Sequence, residues 1–219
     1  MGWYRKVLQH YYVTKGCIAM SEYDIKKLMK DMKKCQDKKR FQHTLGVSYT
    51  AAALAMRYGE IIENAQVAGI LHDCAKCLTD TKIVSMCEKH SIDISDSERQ
   101  SPYLLHGKLG AFLAREKYGV KDENILNAIR YHTTGRPDMS LLEKIVFIAD
   151  YIEPQRKTAV HLDEIRRIAF LDIDEALCII LRETLSYLKK SDKKIDRTTE
   201  QTYHFYQSLG KEKRRRKSN

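Results

Sequence analysis

The 219-residue sequence predicts an all-α fold, a single helical bundle, and three observations carry that prediction. Apolar residues return at three-and-four spacing from Ser21 onward. No segment alternates apolar and polar with period two, so strand candidates are absent. The chain holds only 3 Pro and 10 Gly, too few to interrupt helices often. With 43% hydrophobic residues it can bury one sizeable core. The expected organisation is an N-terminal extension over residues 1–20, one domain over 21–210 and a basic tail over 211–219.

The elements follow in order. Ser21, with acidic Glu22 and Asp24 behind it, is the expected N-cap of the first helix. Phe41 to Tyr58 is Ala-rich at helical spacing, and Gly59 is placed to end it. Glu63 to Asp73 holds the run AQVAGIL and should cross the core. Residues 81–90, 106–118, 122–132, 140–152, 160–169, 172–190 and 199–209 complete the expected helices.

The formal charge of +10 raises a nucleic-acid reading, but its distribution argues against one. Residues 211–217, KEKRRRK, hold six basic residues and one acid, and residues 1–20 hold three basic residues and no acid. That leaves +2 for residues 21–210. The tail is therefore expected to be a disordered, solvated charge run that touches nucleic acid only weakly. Six cysteines at 17, 35, 74, 77, 87 and 178 lack the dense framework of a small secreted domain, which points to a reduced, cytoplasmic protein. Cys74 and Cys77 form a C-x-x-C with no second pair to complete a structural zinc site. No run approaches the roughly twenty apolar residues of a membrane span. Residues 1–19 lack helical periodicity and any acid, so Met20 is an alternative start.

The informative feature is polar residues where a core would place apolar ones. His72 and Asp73 close AGIL, His106 sits between LL and LGAFLA, His132 ends NAIRY, and Asp150 ends KIVFIA. Buried imidazoles and carboxylates without partners cost several kcal/mol, so they are paired or bound to metal. His10, His90, His161 and His204 have no such setting, and any one of the others alone would be an ordinary core or cap residue. Together, four histidines and two aspartates favour a metal with nitrogen and oxygen ligands, such as iron, manganese or cobalt. Two ions sharing Asp73 would use six ligands naturally, the usual arrangement for hydrolysing phosphate bonds.

The string AGILHDCAK, with His72, Asp73 and Lys76, resembles the signature of the HD superfamily of metal-dependent phosphohydrolases. RFQHTLGV supplies the first histidine, His43, and Asp150 supplies the last aspartate. LLHGKLGA, AIRYHTTGRP and LLEKIVFIADYIEPQR further resemble the YqeK-type family of bacterial symmetrical dinucleoside tetraphosphatases. The resemblance covers about Arg40 to Tyr203 and implies a single HD domain that hydrolyses diadenosine tetraphosphate to two ADP, with one or two iron ions. It assigns His43, His72, Asp73 and Asp150 as principal metal ligands, and His106 and His132 as second-ion or phosphate ligands. An ion lowers the pKa of the water it activates, so the nucleophile need not be a side chain.

Asp73 and Lys76 are accordingly the expected catalytic residues, Lys76 neutralising charge on phosphate oxygens. Arg40 and Arg156 are candidate phosphate contacts because a guanidinium binds two oxygens at once. His106, His132, Thr133, Thr134 and Asp150 join the expected substrate contacts, with Thr198, Thr199 and Tyr203 from the C-terminal segment. That segment departs from the family pattern, with Arg197 where proline is usual and His204 where asparagine is. Two other functions stand beside the first: an HD hydrolase of nucleoside mono- or triphosphates or guanosine alarmones, and an RNA- or ribosome-binding module working through the tail. The partners expected are a nucleotide and no membrane, with a homodimer left open.

Overall fold

The computed structural model describes residues 22–191 and 195–218. Within them lie eleven α-helices and no strand, so the all-α expectation holds. They are α1 (Ile25–Cys35), α2 (Lys38–Tyr58), α3 (Ile62–Leu71), α4 (Asp80–Lys89), α5 (Asp96–Gln100), α6 (His106–Glu116), α7 (Glu123–Tyr131), α8 (Leu141–Ile152), α9 (Leu162–Ala169), α10 (Ile173–Lys190) and α11 (Arg197–Ser218). A 3₁₀ turn, Pro102–Leu105, leads into α6. The expected cap at Ser21 and the reading of residues 1–20 lie outside the described residues.

Local chemistry sets the helix ends. Asp24 starts α1 by accepting a hydrogen bond from the Lys27 N–H at 2.9 Å, and Asp37 starts α2 by accepting from Arg40 N–H at 2.8 Å. Gly59, in the left-handed region at φ 78°, ends α2 as expected. Ser140 and Glu143 form a capping box at the head of α8.

Helix α8 is the centre of the bundle. Its residues Leu142, Ile145, Val146, Phe147, Ile148, Ala149 and Ile152 are all buried, and a helix apolar all round must be surrounded. Helices α2, α3, α7 and α10 enclose it. Each fully buried Ile or Leu there contributes roughly 1.5–3 kcal/mol. A smaller apolar cluster of Ala75, Ile83, Cys87, Leu105 and Leu109 clamps α4 and α6 over the turns that follow α3. No helix among the described residues is long and apolar enough to cross a membrane.

Three features differ from the sequence expectation. Helix α3 stops at Leu71, and residues 72–77 form successive turns, with Cys74 N–H bonded to Leu71 O and Lys76 N–H to Asp73 O, both at 3.0 Å. Helix α5 and the 3₁₀ turn were not expected, because five or four residues give too little periodicity to detect. The basic segment 211–218 continues α11 instead of being disordered. Lys, Arg and Glu are strong helix formers, and buried Thr199, Thr202 and Tyr206 anchor the helix they extend.

Candidate metal centre

Five elements deliver six residues to one point. His43 comes from the second turn of α2, His72 and Asp73 from the turns after α3, His106 from the first position of α6, His132 from just beyond α7 and Asp150 from the last turn of α8. His72, Asp73, His106 and His132 are buried, while His43 and Asp150 are partly exposed. All six expected metal ligands are therefore brought together.

The main chain orients three of the imidazoles in the same way. Nδ1 of His72 faces Gly69 O at 2.7 Å, Nδ1 of His132 faces Ile129 O at 2.7 Å, and Nδ1 of His106 faces Tyr103 O. Each ring thus donates Nδ1–H to the carbonyl three residues earlier, which leaves the Nε2 lone pair pointing inward. His43 is oriented by a carboxylate, its Nδ1 lying 3.2 Å from Glu153 Oε1.

The inward atoms crowd each other without donors between them. His106 Nε2 and His132 Nε2 are 3.0 Å apart, and His72 Nε2 and His43 Nε2 are 3.3 Å apart. Asp73 stands in the middle. Its Oδ2 lies 3.3 Å from His72 Nε2 and 3.8 Å from His43 Nε2, and its Oδ1 lies 3.4 Å from His132 Nε2 and 3.5 Å from His106 Nε2. Asp150 Oδ1 is 3.1 Å from His43 Nε2. Asp73 is fully buried, and its Oδ1 accepts no hydrogen bond although Lys76 Nζ stands 3.1 Å away. Converging lone pairs and an unsatisfied buried carboxylate oxygen are what a cation relieves, so the donor set fits a metal ion.

Two groups of three donors have all their ligand atoms within 4.8 Å of one another: His43, His72 and Asp150, and His72, Asp73 and His132. His132 completes the second group. His106 falls outside both, and its Nε2 instead accepts from Thr133 Oγ1 at 3.1 Å.

Electrostatics follow the same geometry. Burial acts to raise the Asp73 pKa, but neighbouring His72, His132 and Lys76 outweigh it and hold the carboxyl well below its ordinary range. Asp150 is likewise held low, burial being outweighed by its hydrogen bond with His43. Burial pushes His106 down to about 3, with the charges of His132 and Lys76 acting in the same direction. For His43 burial acts downward, yet Asp150, Glu153 and Asp73 carry its pKa up.

Two glycines make this packing possible. A Cβ on Gly107 would lie 2.5 Å from Arg130 O, so only glycine lets α6 approach α7 closely enough to juxtapose His106 and His132. A Cβ on Gly46 would clash with Glu153 Oε2. Glu153 is the functional residue that sequence reasoning missed. It is buried, and its Oε2 accepts from the Gln155 N–H at 2.6 Å. In the sequence it precedes Pro154 and looks like an ordinary helix stop. Its only signal was an acid directly following the apolar end of α8.

The remaining expected contacts divide. Arg40 donates from Nη1 to Asp73 Oδ2 at 2.7 Å, and Arg156 donates from Nη2 to Asp150 Oδ1 at 3.2 Å and to Asp150 O at 2.8 Å. Thr134 turns away, its hydroxyl donating to Gly135 O. Thr198, Thr199 and Tyr203 sit on the first turns of α11, which packs on the loop after His132 through Thr202 and Gly135. Thr199 is buried in that packing, and the Tyr203 hydroxyl accepts from Gln207. Cys74 is buried against Gly110 while Cys77 is exposed, so the C-x-x-C does not converge on a metal.

A cavity of about 860 Å³ opens beside the centre between the head of α2 and residues 153–158, reaching His43, Arg40 and Arg156.

Comparison with known proteins agrees with this geometry. The HD domain family matches residues 40–155. The chain belongs to the HD-domain family. The chain is 40% identical over 168 residues to the symmetrical bis(5'-nucleosyl)-tetraphosphatase of Bacillus subtilis, covering 76% of this chain and 88% of that protein. The protein of the same name from Halalkalibacterium halodurans is 41% identical, covering 75% and 87%. A crystal structure from Clostridium acetobutylicum, described as a predicted HD superfamily hydrolase involved in NAD metabolism, superposes with a TM-score of 0.82 at 39% identity, covering 85% of this chain and 98% of that one.

Proposed function

We propose that this HD-domain protein hydrolyses diadenosine tetraphosphate symmetrically to two ADP at a centre of one or two iron ions, in the cytoplasm. The observation that carries the reading is the pair of three-donor groups that share His72 and flank Asp73, at the head of a cation-lined groove. The relatives named symmetrical bis(5'-nucleosyl)-tetraphosphatase, which the chain matches over 87% and 88% of their lengths, supply the substrate. A donor set of imidazoles and carboxylates without thiolate favours iron, manganese or cobalt over structural zinc.

Symmetrical cleavage adds water across the central P–O–P bridge. A water oxygen bonds to one inner phosphorus, the bridging oxygen leaves with the other half, and each half is then ADP. When bound, a divalent ion supplies Lewis acidity at a phosphate oxygen and lowers the pKa of the attacking water. His43, His72, Asp73 and Asp150 would hold one ion, and Asp73 with His132 and His106 would hold a second, since each imidazole offers one inward nitrogen while the Asp73 carboxylate offers two oxygens. Asp73, ionised and fixed between the two groups, aligns them. Lys76, Arg40 and Arg156 stand at the rim and neutralise charge that builds on phosphate oxygens in the transition state. Glu153 holds the His43 ring in the tautomer that offers Nε2 inward.

Asp73→Asn tests the assignment. It keeps the shape but removes the carboxylate charge at the middle of the donor set, and it should abolish metal retention and turnover together. A variant that keeps both refutes the site.

A further inference from the structure

The groove beside the centre is lined by Lys38, Lys39, Arg40, Arg156 and Lys157, five cations, against two carboxylates, Asp37 and Glu153. Only one of the two carboxylates, Asp37, is exposed to the groove. Asp37 is engaged in capping Arg40 N–H, and Glu153 is buried between His43 and the Gln155 N–H. Arg40 and Arg156 are directed to Asp73 and Asp150. Lys38, Lys39 and Lys157 are exposed, and no ion pair among the described residues engages them.

The placement of three of these cations runs against local helix chemistry. The first turn of α2 holds Lys38, Lys39 and Arg40 with no acid, although the partial positive charge of a helix N-terminus disfavours cations there. With Asp37 already capping the helix end, the exposed cations beside a phosphate-cleaving centre are what would attract an anion. The cavity continues from the rim of the centre along α2 and residues 155–158, so it extends away from the bond that breaks.

We infer that this groove binds the half of the dinucleoside tetraphosphate that departs from the centre, a nucleoside diphosphate, and that Lys39 and Lys157 read its two phosphates. The inference rests on the proposed reaction: a bridge cut in the middle leaves two phosphates on each side, and one side requires a seat outside the metal centre. Lys39 on α2 and Lys157 on the facing segment grip that diphosphate from both walls. They act on binding and product release, and Asp73 and the histidines act on the chemistry.

The test is the double variant Lys39→Ala/Lys157→Ala in the full chain, with Lys27→Ala/Lys30→Ala on exposed α1 as a control of equal charge loss. Steady-state hydrolysis of diadenosine tetraphosphate and calorimetric binding of ADP are read on both. The groove variant should raise KM about tenfold with kcat within about twofold, weaken ADP in parallel, and flatten the salt dependence of binding, the scale of two exposed charge contacts. The control should shift neither. Unchanged KM and ADP affinity in the groove variant, while the wild type makes two ADP, overturn the groove and leave the reaction standing. A lowered kcat at constant KM also overturns it. If the wild type fails to cleave diadenosine tetraphosphate yet the groove variant loses ADP binding, the proposed reaction falls and the nucleoside diphosphate seat stands.

Discussion

At the scale of single residues the centre is governed by what holds each imidazole in place. Three of the four histidines are fixed by their own main chain, and His43 alone depends on a distant side chain, the buried carboxylate of Glu153. Glu153→Gln should therefore lower metal affinity about ten- to a hundredfold while leaving the fold intact, as read by competition with a calibrated chelator. Buried His106 also contributes to the acid sensitivity of the metal-free protein. His106 takes up its proton near 6.5 when unfolded and only near 3 when folded, since burial disfavours the imidazolium. The unfolded state thus binds more protons in that window, and the stability present above pH 6.5 is lost as pH falls toward 3. Asp73 and Asp150, both held low, add their own loss below the ordinary carboxylate range. His43, held high, opposes this: its contribution is full below 6.5 and disappears as pH rises through its folded value. Urea titrations of metal-free protein should show stability falling on acidification from pH 6.5, and His106→Asn should flatten that slope. An unaltered slope in the variant would assign the acid sensitivity elsewhere.

At the scale of elements, the site depends on how closely helices approach. Gly107→Ala forces a Cβ toward Arg130 O and should push α6 off α7. Overpacking of this kind costs about 1–3 kcal/mol. Thermal unfolding should record that loss, and the bound-metal ratio should fall with it because His106 and His132 separate. The same scale explains what was legible in the sequence. The long helices could be located from apolar spacing because each of α2, α8 and α10 spans three turns or more. His72, Asp73, His106, His132 and Asp150 stood out because each interrupts or ends an apolar run. The five-residue α5 left no such period, and the end of α3 at Leu71 was hidden because residues 72–75 stay buried while the backbone turns. Glu153 was invisible for a different reason: its partner, His43, lies 110 positions away, and an acid before a proline carries no mark of burial. The tail over 211–218 is a case where local composition pointed to charge repulsion and helix continuity from Tyr206 prevailed.

At the scale of the whole molecule, one apolar bundle around α8 positions five separate polar ends against one another, and the donor set they form fits a metal ion. A ligand that binds only the folded state stabilises it by mass action, about 2.7 kcal/mol at a hundredfold excess over Kd. Removing the metal should therefore lower Tm by roughly 5–10 °C for a chain of this size. The basic tail, continuous with α11, lies outside this centre, and deleting residues 211–219 should leave hydrolysis unchanged while any affinity for RNA disappears. The most direct measurement of the central claim is metal analysis and product identification on a single preparation, before and after chelation. One to two iron, manganese or cobalt ions per chain, two ADP from each diadenosine tetraphosphate, and loss of turnover on chelation with recovery on readdition are the expected result. AMP with ATP as products, or full turnover by metal-free protein, would contradict it.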